Sequence, residues 1–164
     1  MELEQAQKIA SQVITKLAPF CDRIEVAGSI RRRRPFCHDI DIVCIPSNQG
    51  QFLYQLQQLG KIKMGGGKLI RCDTPNGIEL DIYIATPETW ATLLLIRTGS
   101  KAHNIKLCKR ALSMGMKLHA DGSGLFRLIP EGCERMNEER IAGDTEESIF
   151  EALEMKFLKP ENRE

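Results

Sequence analysis

Two short stretches restrict what this chain can fold into: "DIDIVCI" (39–45) and "IELDIYIA" (78–85), in which acids alternate with aliphatic residues. Successive side chains of a strand point to opposite faces. The first stretch therefore reads as a strand with Ile40, Ile42 and Cys44 on one face and Asp39, Asp41 and Val43 on the other. In the second, Leu80, Ile82 and Ile84 point one way, and Asp81 and Tyr83 the other. The aliphatic faces need a cover, and the N-terminus offers one. Leu3, Ala6, Ile9, Ala10, Val13, Ile14 and Leu17 recur at the three- and four-residue spacing of an amphipathic helix. The expected class is α+β: a mixed sheet with helices on one face, followed by a smaller α+β unit.

The remaining elements follow from breakers and caps. "RIEVAG" (23–28) reads as a short strand, and "QFLYQLQQLG" (51–60) as a helix ended by Gly60. "KLIRC" and "IELDIYIA" flank Asp73-Thr74-Pro75-Asn76-Gly77, whose Asn-Gly favours a hairpin. Thr86 and Pro87 suggest a helix start with Thr86 as cap, running to about Arg97. Thr98-Gly99-Ser100 breaks the chain, and Ser100 can cap a second helix from Lys101 to Met114, ended by Gly115. "MKLHADGSGLFRLI" reads as a hairpin and "DTEESIFEALEM" as a capped helix. The expected domains are residues 1–88 and 89–164.

The 164 residues are 42% hydrophobic and 27% charged, the balance of a globular protein with a core. No run approaches the roughly 18 apolar residues that span a bilayer. The first helix carries acids early, unlike a signal or transit peptide, so a cytoplasmic, membrane-free protein is expected. Six scattered cysteines (21, 37, 44, 72, 108, 133) without a C-x-x-C pair, and only three histidines, read as reduced thiols rather than a zinc site. "KMGGGK" (63–68) lacks the spacing of a phosphate-binding Walker loop.

Net charge is +1, but the charges are segregated. Trp90 to Ala120 holds Arg97, Lys101, Lys106, Lys109, Arg110 and Lys117 and no acid. Lys61, Lys63, Lys68 and Arg71 are likewise unopposed in sequence, whereas Glu131 to Glu154 holds nine acids against two arginines. Such segregation fits a basic face turned to a polyanion; the alternative is helices carrying solvated charge.

If the two acid-bearing strands are neighbours, Asp39, Asp41 and Asp81 converge on one face. Converging carboxylates repel, and coexist only with protons or cations. Oxygen donors without His or Cys favour Mg²⁺ or Mn²⁺, and a D-x-D pair with a third acid suits two-metal phosphoryl displacement. The alternative is a solvated sheet face. Upstream, Gly28-Ser29 follows a strand and opens a short helix, so its N–H groups and the Ser29 hydroxyl can cradle phosphate oxygens. Arg31 to Arg34 offer guanidinium forks for a polyphosphate.

G-S-x-R-R (28–32), D-I-D (39–41) and L-D-I-Y (80–83) resemble the polymerase-β-type nucleotidyltransferases. "IRTGSKAHNIKLCKRALSMGMKLHADGSGLF" and "GDTEESIFEALEMKFLKPENRE" resemble the C-terminal part of family X DNA polymerases, so the likeness runs over nearly the whole chain. The resemblance implies a palm over 1–88 and a thumb-like subdomain over 89–164. The family's usual N-terminal lyase-type and DNA-binding subdomains have no counterpart in the sequence. It further implies that Asp39 and Asp41 hold two Mg²⁺ ions, for which Mn²⁺ can substitute. Asp81 would bind the catalytic metal and help to activate the primer 3′-hydroxyl. Gly28, Ser29 and Arg32 would meet the triphosphate, and Gly99, Ser100, Lys101 and Asn104 the incoming nucleotide, with an unusual cis peptide at Gly99–Ser100. Lys68, Arg71, Lys109 and Arg110 are the expected DNA contacts.

The chain also departs from the pattern. Ile96 and Arg97 stand where aromatic residues usually precede T-G-S. Glu79 stands two residues before the third aspartate, where arginine is common, and Cys108 replaces a template-contacting arginine. The reading is a monomeric, template-directed DNA polymerase that adds dNTPs to a primer 3′-hydroxyl on primer–template or gapped DNA, in repair. The alternatives are an untemplated nucleotidyltransferase acting on a nucleic-acid end or other acceptor, and a DNA-binding module without catalysis.

Overall fold

The structure, a computed structural model, describes residues 1–131 and 135–164. The chain divides into two compact units, Met1–Pro87 and Glu88–Glu164.

The first unit is a five-stranded mixed sheet covered by helices. Its strands are β1 (Cys21–Val26), β2 (Ile40–Pro46), β3 (Lys61–Gly65), β4 (Leu69–Asp73) and β5 (Glu79–Ile84), in the order β1-β2-β5-β4-β3. β2 and β5 run parallel and the other neighbours antiparallel. Alternation does its work here. Ile40, Ile42 and Cys44 of β2 and Leu80 and Ile82 of β5 are fully buried with Ala6, Ala10, Val13 and Leu17 of helix α1 (Leu3–Leu17). Phe52 and Leu56 of helix α3 (Gln49–Leu59) join the same core. Burying such aliphatic side chains stabilises the unit by about 2 kcal/mol each. Between β1 and β2 lies the one-turn helix α2 (Gly28–Arg31).

Two expectations shift. β2 begins at Ile40, so Asp39 stands one residue before the strand, and α2 begins at Gly28, where the first strand had been expected to end. Strand β3 lies in a basic stretch for which no element was expected. Its pairing with β4 is irregular between Ile62 and Met64, and most of its residues are exposed, so no alternation marks it. Lysines on an edge strand of this kind discourage further pairing.

The second unit places helices α4 (Trp90–Thr98), α5 (Lys101–Ser113) and α6 (Glu146–Ala152) with an antiparallel sheet of β6 (Met116–His119), β7 (Gly124–Glu131) and β8 (Arg135–Ala142). Leu95, Leu107, Ala111, Leu125, Ile149, Phe150 and Leu153 form its core. Thr86 does not cap α4. The helix starts at Trp90, and Trp90 to Leu95 are all buried, so no polar face marks its beginning in the sequence. Ser100 caps α5, its hydroxyl accepting from the His103 N–H at 3.2 Å. Thr145 caps α6 in a reciprocal box with Ser148.

The chain's last residues fold back into this unit. Arg163 is fully buried; its Nη2 donates to Glu146 at 2.7 Å and its Nε to the Leu158 carbonyl at 2.9 Å, and its guanidinium lies over Phe150 and Phe157. Cys21, Cys37, Cys44, Cys72 and Cys108 are unpaired thiols, and Cys133 lies outside the described residues. Among the described residues, no helix is long and apolar enough to cross a membrane.

Candidate active site

The parallel pairing of β2 with β5 sets Asp41 opposite Asp81. With Asp39 just before β2, each of the three acids offers a carboxylate oxygen within 4.8 Å of the others. Asp81 is buried at 3% exposure, whereas Asp39 and Asp41 are half-buried. Burial raises the Asp41 carboxyl to about 7, helped by the negative charges of Asp39 and Asp81, while a hydrogen bond from Tyr83 and the charge of Arg32 hold it back. Such crowding is what a divalent cation relieves. Three carboxylates without imidazole or thiolate form a hard-oxygen donor set that fits Mg²⁺ or Mn²⁺.

The turn at Ala27–Gly28 packs against this cluster. The Ala27 N–H donates to the Asp41 carbonyl at 2.8 Å, which fixes the start of α2 beside β2. Gly28 has φ +57°, and a Cβ there would collide with the Asp41 carboxylate, so both conformation and space demand glycine. The Ser29 hydroxyl is buried without a hydrogen-bond partner among the described residues, a cost that a bound oxyanion would remove.

The four arginines part company at once. Arg32 is half-buried and its charge reaches Asp41. Arg31 turns to Glu25 at 3.2 Å. Arg33 is exposed with a left-handed backbone.

Two residues of this site went unseen in the sequence. Arg71, expected as a DNA contact, lies opposite Asp81 in the β4–β5 pairing. It grips both carboxylate oxygens, Nε to Oδ1 at 2.7 Å and Nη2 to Oδ2 at 2.6 Å. Tyr83 brings its hydroxyl to 3.5 Å from Asp81 Oδ2 as well as to Asp41. Alternation had placed Tyr83 on the acid face, which was a usable signal. Arg71 needed the register between two strands, which the sequence does not carry.

The other expected residues fall as follows. The Gly99–Ser100 peptide is cis. Asn104 donates to the Ile96 carbonyl at 2.8 Å, and its Oδ1 is buried with no well-placed hydrogen-bond partner among the described residues. Lys101, Lys68 and Lys109 are exposed. Arg110 instead donates to the Leu153 carbonyl at 2.9 Å and meets Glu154 at 3.5 Å. Neither basic stretch is unopposed in space.

A family profile described as the DNA polymerase beta thumb matches residues 93–164. The second unit thus matches the polymerase beta thumb, and the chain is similar to DNA polymerases of family X. Among curated proteins it is 30% identical, over 127 residues, to the DNA polymerase/3′-5′ exonuclease PolX of Bacillus subtilis; the match covers 71% of this chain and 22% of that protein. The chain thus spans about a fifth of the curated relative's length. Its fold is that of Leishmania infantum polymerase beta, solved as a ternary P/T complex. The TM-score is 0.80 at 22% identity, covering all of this chain and 76% of the other.

Proposed function

We propose that this chain is a template-directed DNA polymerase that joins dNTPs to a primer 3′-hydroxyl with loss of pyrophosphate, suited to filling short gaps in repair. The convergence of Asp39, Asp41 and Asp81 beside the Gly28–Ser29 turn carries the reading. Divalent cations bound there supply charge stabilisation for an in-line displacement at the α-phosphate.

The chain's own residues divide the rest. Asp39 and Asp41 would hold the cations, and Asp81 would serve the one that acts on the primer 3′-hydroxyl. Gly28 lets the backbone come close to the triphosphate, the Ser29 hydroxyl turns its unused hydrogen bond to a phosphate oxygen, and Arg32 adds a charge-assisted bond. In the second unit, Gly99, Ser100, Lys101 and Asn104 are assigned to the nucleotide. Lys68 and Lys109, both exposed, are assigned to the DNA backbone.

Pyrophosphate release tests the reaction class. It should accompany dNTP consumption on a primer–template ending in a 3′-hydroxyl, in the presence of Mg²⁺ or Mn²⁺, and stop on the same primer ending in a dideoxynucleotide. Release that ignores the missing hydroxyl would show that the acceptor is something else.

A further inference from the structure

Arg71 is the feature that this reading leaves unexplained. An arginine that holds both oxygens of a buried metal-site acid competes with the ion the site is built for. The grip is a bidentate fork, the strongest geometry available to this pair. A guanidinium and a divalent cation can share one carboxylate only against their mutual repulsion.

The guanidinium also has a second acceptor already in reach. Its Nε lies 3.2 Å from Glu79 Oε1, and Glu79 sits two residues before Asp81 on the same face of β5. Glu79 is itself steadied by Lys63, whose Nζ lies 3.9 Å from it and 2.6 Å from Asp73. Charges of alternating sign thus run across the sheet from Asp81 through Arg71, Glu79 and Lys63 to Asp73. Arg71 is about one-third exposed, so its side chain has room to turn.

We propose that Arg71 is a positioning residue that acts through Asp81: it occupies the carboxylate while no cation is bound, and passes to Glu79 when a divalent cation takes the carboxylate over. The inference rests on the reading of the three aspartates as the cation site. Arg71 stabilises the metal-free fold by neutralising a buried acid, and it sets a threshold for cation binding. Glu79 lowers that threshold by receiving the arginine.

Mn²⁺ binding to the full chain without DNA or nucleotide, followed by the loss of the free-ion electron paramagnetic resonance signal, tests this apart from catalysis. Wild type should bind Mn²⁺, and Asp41→Asn should abolish the binding; a wild type without binding, or an indifferent Asp41→Asn, overturns the cation site itself. Arg71→Ala should bind roughly tenfold more tightly, the scale of one charge-assisted pair. Arg71→Lys keeps the charge but loses the fork, and should show most of that gain and guard against a misfolded alanine variant. Glu79→Gln should bind several-fold more weakly than wild type, and this effect should vanish when Arg71 is also alanine. The transfer is overturned if Arg71→Lys binds like wild type, which would reduce Arg71 to a charge. It is equally overturned if Glu79→Gln weakens binding as much without Arg71 as with it, or if both Arg71 variants fold and bind no more tightly.

Discussion

Asp41 carries a carboxyl that burial and two neighbouring acids push well above the ordinary aspartate range. In the folded chain it titrates near 7, against 3.8 for an ordinary aspartate. Between those values the folded state keeps a proton that the unfolded chain has released. Stability contributed at this position is therefore greatest at low pH and falls as pH rises through that window. A bound divalent cation replaces the proton, so its stabilising effect grows over the same range. Thermal unfolding at pH 5 and 8 should show wild type losing more stability on the way up than Asp41→Asn does. Added Mg²⁺ should recover the difference at pH 8 in wild type alone; parallel pH profiles for the two proteins would contradict the origin given for the shift. The arginine run makes a second residue-scale prediction. Arg32→Ala should weaken dNTP binding by roughly 2 to 3 kcal/mol. Arg31→Ala, which breaks a surface pair with Glu25, should change it by less than about 1 kcal/mol. Equilibrium dNTP titrations decide, and a larger effect of Arg31 would put the wrong arginine on the triphosphate.

At the level of elements, what could be read in advance is what is periodic or capped. The alternation of β2 and β5 and the apolar stripe of α1 mark the sheet, its cover and the acid face in the sequence. Ser100 announced one helix start with the hydrogen bond expected of it, and "DTEESIFEALEM", read as a capped helix, is capped by Thr145. Three things were hidden for physical reasons. β3 is an exposed edge strand and has no buried face to impose alternation. α4 is buried almost all round and shows no amphipathic boundary, so Thr86-Pro87 looked like its start. Arg71 meets Asp81 through strand register alone. The terminal arginine belongs with these. Nothing near it in sequence predicts burial, yet Arg163 completes the acid of α6. Removing one member of a buried pair strands the other, typically at 3 to 5 kcal/mol. Arg163→Ala should therefore lower stability by about 3 kcal/mol in urea unfolding, and a loss below about 1 kcal/mol would mean that Glu146 finds water or another donor.

Across the whole molecule, charge is sorted more finely than its order along the chain suggests. Acids and bases far apart in sequence meet within each unit: Arg110 with Glu154, His119 with Glu138 and Arg127 with Glu139 in the second, and Lys63 with Asp73 in the first. The exposed Lys68, Lys101 and Lys109 stand outside these pairs. Each phosphate neutralised contributes roughly 0.9 to the slope of log affinity against log salt. The two assigned to the DNA backbone, Lys68 and Lys109, give a slope of about −2, so DNA binding should be weak and moderately salt-dependent. A slope several-fold steeper, measured by anisotropy titration, would mean that the paired arginines leave their acids for the DNA. Whether these three aspartates serve templated synthesis is decided by single-nucleotide extension of one labelled primer, with and without its template strand. Wild type should add the nucleotide complementary to the template base and add nothing to the lone primer. Asp81→Asn should lower that addition by more than about 100-fold, beyond what loss of even an outer-shell partner costs a metal site. Equal extension without template, or turnover by Asp81→Asn at the wild-type rate, would mean that the three aspartates do not serve templated synthesis.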